Sequence, residues 1–236
     1  MSKLSGFVRS GALAAVFLGA LLAQPSALRA DSISVGGKTI RFDAPKGYVQ
    51  ADKQIYSEVT SRITNALPEG MTLHAFYVEE SVDRKFREGT TEYLDEYLMV
   101  AGLGQVTRRN LSLAEFREFS DYLQNNQGGL FSEDVAAQAR KAVEDATDGE
   151  IQLGNITSLG CFGITDTSIS YLAIMRQEIL AANGARLPLD QAVIMNTLLV
   201  DGKMLHVNQY RSITEADQAI RFKDRSAEIV GSMNFK

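Results

Sequence analysis

One segment near the C-terminal end would be apolar on both faces if it were extended. In Gln191–Val200, one face carries Val193, Met195 and Leu199, and the other carries Ile194, Leu198 and Val200. Both faces of such a strand must be covered, because covering them removes their apolar surface from water. The next dipeptide, Asp201-Gly202, favours a tight hairpin turn into Lys203–Arg211. The sequence therefore predicts an antiparallel sheet with a central strand covered on both sides.

The rest of the chain predicts more hairpins and several helices. Further strands are predicted on either side of Gly36-Gly37 (Ser32–Phe42), at Met71–Glu79, and in the pair Ile151–Gly163 and Ser168–Gln177. Helices are predicted at Ala51–Leu67, Thr91–Val100, Ser112–Leu123, Ser132–Ala146 and Thr214–Val230, so that a helical block covers about 89–148. Ser112–Glu115 and Thr214–Asp217 have the form of capping boxes at the starts of two of these helices. Strands, helices, strands and a last helix, without regular alternation, predict an α+β fold. We expect one domain over 31–236 with helices packed on an antiparallel β-sheet, and we favour an α/β/α sandwich.

The first 30 residues have the layout of a secretory signal peptide. Lys3 and Arg9 precede the apolar run Gly11–Leu22, and small residues follow up to Ala30. A membrane anchor is the alternative, but this run is shorter than the roughly 20 residues that span a bilayer. We therefore predict cleavage after Ala30 and a mature chain with no membrane span. The chain's single cysteine cannot form an internal disulfide, which favours the bacterial periplasm over a eukaryotic secretory route.

The charge of the chain argues against nucleic acid as a partner. The formal net charge is −5, and loss of the leader, which carries three basic residues and no acid, makes the mature chain more acidic. Nucleic-acid binding depends on Lys and Arg that neutralise phosphates. An acidic chain without a basic stripe is a poor candidate for that role.

No motif in the sequence assigns a catalytic residue. Cys161 could meet His74 or His206 across the predicted sheet, but its alternating, largely apolar neighbours favour a packed side chain. The two histidines form no HxH or HExxH spacing, so we predict no metal site and give each histidine a structural role. No cofactor motif is present, since the Gly-x-Gly at Gly102–Gly104 follows a predicted helix instead of a strand. Enzymatic activity stays undecided, with a non-enzymatic protein favoured.

Two groups of residues are candidates for binding. Met204, His206, Asn208 and Tyr210 share one face of a predicted strand, which would form the wall of a ligand groove if no helix covers it. Arg84, Lys85 and Arg87 form a concentrated basic group. This group is either a solvated linker or a contact for an anionic surface on a partner protein or the cell envelope.

Both ends of the predicted domain carry patterns that resemble those of a known family. The run Gly37–Tyr48 (GKTIRFDAPKGY) is similar to the strand-then-Pro-x-Gly-aromatic opening of PsbP-like domains. The end of the chain, LLVDGKMLHVNQYRS with a helix and Ser232-Met-Asn-Phe, resembles the way those domains end. The resemblance implies an accessory or assembly factor without enzymatic activity, and it implies no functional residue.

The sequence as a whole predicts an exported, non-enzymatic periplasmic protein that binds a protein or a component of the cell envelope. The alternative is a hydrolase or a small-ligand-binding protein that uses the strand face around His206. No pattern in the sequence indicates an oligomeric state.

Overall fold

The computed structural model describes residues 30–91, 93–104, 108–126, 132–181 and 183–236. The predicted leader, apart from Ala30, lies outside the described residues. Nine strands are described: β1 (Ala30–Val35), β2 (Lys38–Asp43), β3 (Tyr48–Gln50), β4 (Met71–Glu79), β5 (Glu96–Leu103), β6 (Ile151–Phe162), β7 (Ser168–Leu180), β8 (Arg186–Val200) and β9 (Lys203–Ile213). The described helices are α1 (Ser57–Ala66), α2 (Glu80–Arg87), α3 (Leu113–Asn125), α4 (Glu133–Ala146) and α5 (Ala216–Ser232).

Seven of these strands form one antiparallel sheet in the order β3-β4-β5-β9-β8-β7-β6. Strands β6 to β9 follow one another as hairpins, whereas β3, β4 and β5 pair in chain order but are connected through α1 and α2. The two groups meet where β5 pairs with β9, with Glu96 opposite Arg211 and Ala101 opposite His206. Strands β1 and β2 form a separate two-stranded hairpin.

Both faces of the sheet are covered, so the predicted α+β fold and its sandwich layering are confirmed. On one face, Leu205 and Val207 pack with Ile229 of α5 and with Ile40 and Phe42 of the β1–β2 hairpin. On the other face, Met204 packs with Phe116 and Leu123 of α3. Helices α1 and α2 cover a cluster on that second face, centred on Tyr56, Phe76, Val78, Val82 and Met99.

The predicted hairpins and most of the predicted helices are present. Helix α3 begins with the predicted capping box, in which Ser112 and Glu115 each accept a hydrogen bond from the other's backbone. A second predicted capping box, at Thr214, is wrong. The side chain of Gln218 instead exchanges hydrogen bonds with Thr214, and Glu215 begins α5 without a side-chain cap.

The helix predicted at Thr91–Val100 is wrong, because this segment contains the first residues of β5. Residues 98–102 of β5 are buried without a break, so the apolar run packs on both of its faces. A short run of this kind has no periodicity that separates a buried strand from a helix. The helical block predicted at about 89–148 therefore contains a central strand before α3 and α4.

The turn between β8 and β9 depends on a left-handed backbone at two residues. Asp201 has a φ of 47° and Gly202 a φ of 75°. The carbonyl oxygen of Gly202 accepts a hydrogen bond of 2.8 Å from the backbone of Leu111. A Cβ atom at position 202 would lie 3.4 Å from the Leu111 carbonyl oxygen. The turn thus combines an unusual backbone angle with a close approach of the loop before α3.

We expect Gly202→Ala to lower the free energy of unfolding by about 1 kcal/mol or more, because alanine is strained at positive φ and meets Leu111. The matched control is Gly149→Ala, since Gly149 has a φ of +74° but open space where a Cβ atom would lie. Urea denaturation of both variants measures the difference. Equal losses in the two variants would show that the approach of Leu111 has no energetic consequence.

Candidate functional site: a charged cleft at the end of the sheet

A cleft of about 500 Å³ lies where β5 begins and β9 ends. Helix α2 provides one side of it and α5 provides another. Its charged lining residues are Glu79, Lys85, Asp95, Glu96, Arg211 and Arg225. Acids and bases therefore line the same cleft in equal number.

Glu96 is the buried carboxylate of this cleft, with only 6% of its surface exposed. The hydroxyl of Tyr48 donates to its Oε1 over 2.5 Å. Arg225 Nη1 lies 2.9 Å from the same oxygen, and Arg211 Nε lies 3.5 Å from Oε2. Burial and the Glu96 charge raise the pKa of Tyr48, so this hydroxyl stays protonated and can donate. A buried charge is tolerated only with partners of this kind.

The two arginines are held against aromatic rings as well as against Glu96. The guanidinium carbon of Arg225 lies 5.9 Å from the ring centre of Tyr48, and that of Arg211 lies 5.9 Å from the ring centre of Phe222. Both side chains remain more than one third exposed. Packing against rings fixes a guanidinium while leaving part of its N–H groups open to the cleft.

The basic group predicted from the sequence is part of α2 and is divided by the fold. Arg87 donates through Nε to the buried Asp83 over 2.7 Å, and Asp83 also accepts from the Tyr56 hydroxyl over 2.9 Å. Lys85 lines the charged cleft. Arg84 is exposed and is not part of the cleft lining. The group is therefore helical instead of a linker, and Lys85 is the member that lines the cleft.

The strand face predicted as a groove wall is largely covered. Met204 and Asn208 are buried, and Tyr210 stacks on Tyr97 with ring centres 4.7 Å apart. Neither these residues nor His206 line the charged cleft or the second described cleft. The helices on this side of the sheet occupy the space that a groove would need.

His206 lies half-buried within this face. Its Nδ1 is 3.1 Å from the hydroxyl of Thr197. Burial lowers the pKa of His206 to about 4, so the ring is neutral at pH 7. A neutral histidine with a hydroxyl partner matches the structural role predicted for it.

Cys161 lies on the edge strand β6 and is free and half-buried. It packs against the cluster that contains Phe116, Ile169 and Met204. Burial raises the pKa of its thiol, which lowers the fraction of reactive thiolate at neutral pH. Its environment is that of a packed side chain at the margin of the core.

Other kinds of site find little support in the described part of the chain. No group of three or more His, Cys, Asp or Glu side chains in these residues is arranged to hold a metal ion. None of the described helices has the length and apolar character needed to cross a membrane. A second cleft, of about 560 Å³, lies near Asp201 at the opposite end of β8 and is lined mainly by Leu198, Leu199, Val200, Val230 and Phe235.

The sequence interpretation missed the central residues of the charged cleft. Arg211 closes a predicted strand, Arg225 lies in the last helix, and Glu96 was placed in a helix. The available signal was weak, since Glu96 stands directly before the apolar run Tyr97–Leu103. An acid that is buried with the start of such a run needs a partner.

Comparisons with known proteins leave the chain without a family. No family model and no curated protein matches it. Among solved structures it is similar to the Saccharomyces cerevisiae Ran-binding protein Mog1p, with a TM-score of 0.35, 13% identity, and coverage of 89% of this chain and 96% of that one. A mutant of protein Mog1 gives a TM-score of 0.34, 13% identity, and coverage of 88% and 95%. Similarity at this level assigns neither a partner nor an activity.

We expect Glu96→Ala to lower the free energy of unfolding by about 3 kcal/mol, because it leaves Arg225, Arg211 and the Tyr48 hydroxyl without their shared acceptor. Glu228→Ala is the matched control, since Glu228 lies exposed on α5. That control should change stability by less than about 0.5 kcal/mol. Urea denaturation measures both, and similar small losses would show that Glu96 does not hold these elements together.

We expect His206 to make stability depend on pH in a defined window. Its pKa is about 4 in the folded chain and about 6.5 when unfolded, so the unfolded state binds the extra proton between these values. The free energy of unfolding should therefore fall as pH decreases from about 6.5 towards 4. In His206→Gln this fall should be smaller, as measured by urea denaturation across the range. Identical pH profiles for the two proteins would contradict the neutral state of the half-buried His206.

Proposed function

We propose that this protein is exported to the periplasm, where it acts without catalysis by binding a protein or a component of the cell envelope. The mature chain would begin at Asp31, after removal of the leader. In the structure, Asp31 belongs to β1, and its carboxylate accepts a hydrogen bond from the Tyr77 hydroxyl. The leader pattern of residues 1–30 supports the export step.

The charged cleft is the observation that carries the binding proposal. It is open to solvent and contains six charged side chains, whereas sites for small molecules are mostly apolar and enclosing. Polar and charged groups arranged around a few apolar ones are typical of protein interfaces. Val82, Leu189 and Ile213 are the apolar residues in the lining. The cleft therefore suits a segment of a partner better than a free metabolite.

The alternative function, a hydrolase or small-ligand-binding protein that uses the face around His206, has less support. Nucleophilic catalysis needs a thiol or hydroxyl within reach of a base, and both must be open to substrate. Met204 and Asn208 are buried, and the ring of Tyr210 is stacked on Tyr97. His206 contacts Thr197 within this covered layer.

A PsbP-like relationship is part of the same proposal. The α+β fold is compatible with it, and accessory or assembly roles are what the resemblance implies. The roles of the cleft residues come from the structure of this chain alone, since one fold supports many functions.

The test is cross-linking in intact cells that produce the full chain with its leader. We expect one protein or envelope component to be enriched relative to cells that produce the chain without its leader. This protein itself, purified from the same cells, should have the intact mass of a chain that begins at Asp31. Cys161→Ala and His206→Ala should capture the same component at the same yield. Absence of enrichment would contradict the binding role, and loss of capture in His206→Ala would favour the alternative function.

A further inference from the structure

We propose that the charged cleft receives a carboxylate of a partner polypeptide, and this inference rests on the binding function proposed above. Two arginines and one lysine form its receiving side, namely Arg211, Arg225 and Lys85. The carboxylate comes either from an acidic side chain or from a chain end, which share the same chemistry.

The two arginines have donors that Glu96 does not use. A guanidinium carries five N–H donors. Arg225 directs Nη1 at Glu96, and Arg211 approaches it through Nε. One carboxylate between two guanidinium groups also leaves one positive charge uncompensated. The remaining N–H groups are suited to the planar, two-oxygen geometry of a second carboxylate.

Lys85 adds to this receiving side. Lys85 is exposed at the margin of the cleft, and its ammonium forms no ion pair with the described residues. Ser212 also lines the cleft, but its buried hydroxyl is not part of the receiving side. Neighbouring residues of a strand direct their side chains to opposite faces, and Arg211 occupies the face of the cleft.

The three acids of the cleft differ in how strongly they oppose the binding of a carboxylate. The Glu79 carboxylate accepts hydrogen bonds from the backbone of Ser81 and Val82 and from the Ser81 hydroxyl, so it serves the start of α2. Glu96 is shared by Arg211 and Arg225. Asp95 is exposed and is the acid that an incoming carboxylate must avoid. The cationic groups therefore offer more free capacity than the acids.

The probe is a short peptide of alternating Glu and Ala with an acetylated start and an amidated end, labelled with a fluorophore. Its counterpart has Gln in place of Glu, and a third peptide has neutral side chains with a free carboxylate end. Fluorescence anisotropy at low salt measures binding to the full mature chain. We expect the Glu peptide, the free-ended peptide or both to bind. If acidic side chains are the source of the carboxylate, the Gln peptide should bind at least about fivefold more weakly than the Glu peptide.

Variants outside the Glu96 contacts test the site without unfolding it. Lys85→Glu should weaken carboxylate binding about fivefold or more, because it replaces an attraction by a repulsion. Arg84→Glu is the matched control, with the same charge change on the neighbouring exposed residue, and should change affinity by less than about twofold.

The inference and the proposed function fail in different ways. If no carboxylate peptide binds better than the Gln peptide, or if Lys85→Glu and Arg84→Glu weaken binding equally, the carboxylate site is overturned even when cross-linking still captures a partner. If the peptides bind as expected and cross-linking captures nothing, the binding function falls and the cleft chemistry stands. Capture that is lost in Lys85→Glu and kept in Arg84→Glu supports both.

Discussion

The structure depends on keeping one buried carboxylate satisfied. Glu96 stands at the start of β5, opposite Arg211 of β9, and it also accepts from Tyr48 of β3 and pairs with Arg225 of α5. Removal of an ion from water costs several kcal/mol, which good geometry and added hydrogen bonds can offset. Four elements from three separate parts of the chain must therefore adopt one arrangement before this charge is stable. The interaction specifies geometry more than it adds net stability.

This requirement explains why the cleft lies where it does. The cleft lies at one end of the central strands, where β5 begins and β9 ends beside α2 and α5. Two arginines are needed to bury one glutamate, which leaves cationic groups at a surface already shaped by the ends of these elements. The feature that stabilises the junction thus also produces the binding chemistry of the surface.

Local patterns predicted much of the fold and little of the cleft. The turns at Gly36-Gly37 and Asp201-Gly202 and the capping box at Ser112 each depend on neighbouring residues, and the structure contains all three. Strand β5 was mistaken for a helix because both of its faces are buried, so its run lacks a diagnostic period. The cleft joins Lys85, Glu96, Arg211 and Arg225 across long sequence separations, and a single sequence carries no local signal for such contacts.

The β5–β9 pairing has a consequence for how the chain reaches this structure. Within each group of strands, neighbours in the sheet are also neighbours in the chain, joined by hairpin turns or by a connection with a single helix, so their pairing closes comparatively short loops. The pairing of Leu98 with Gln209 instead closes a loop that includes α3, α4 and the whole of β6 to β8. Loop closure on this scale slows folding. We therefore expect two meanders to form early and their seam to form last, with the unpaired edges of β5 and β9 exposed in the meantime as templates for association between chains.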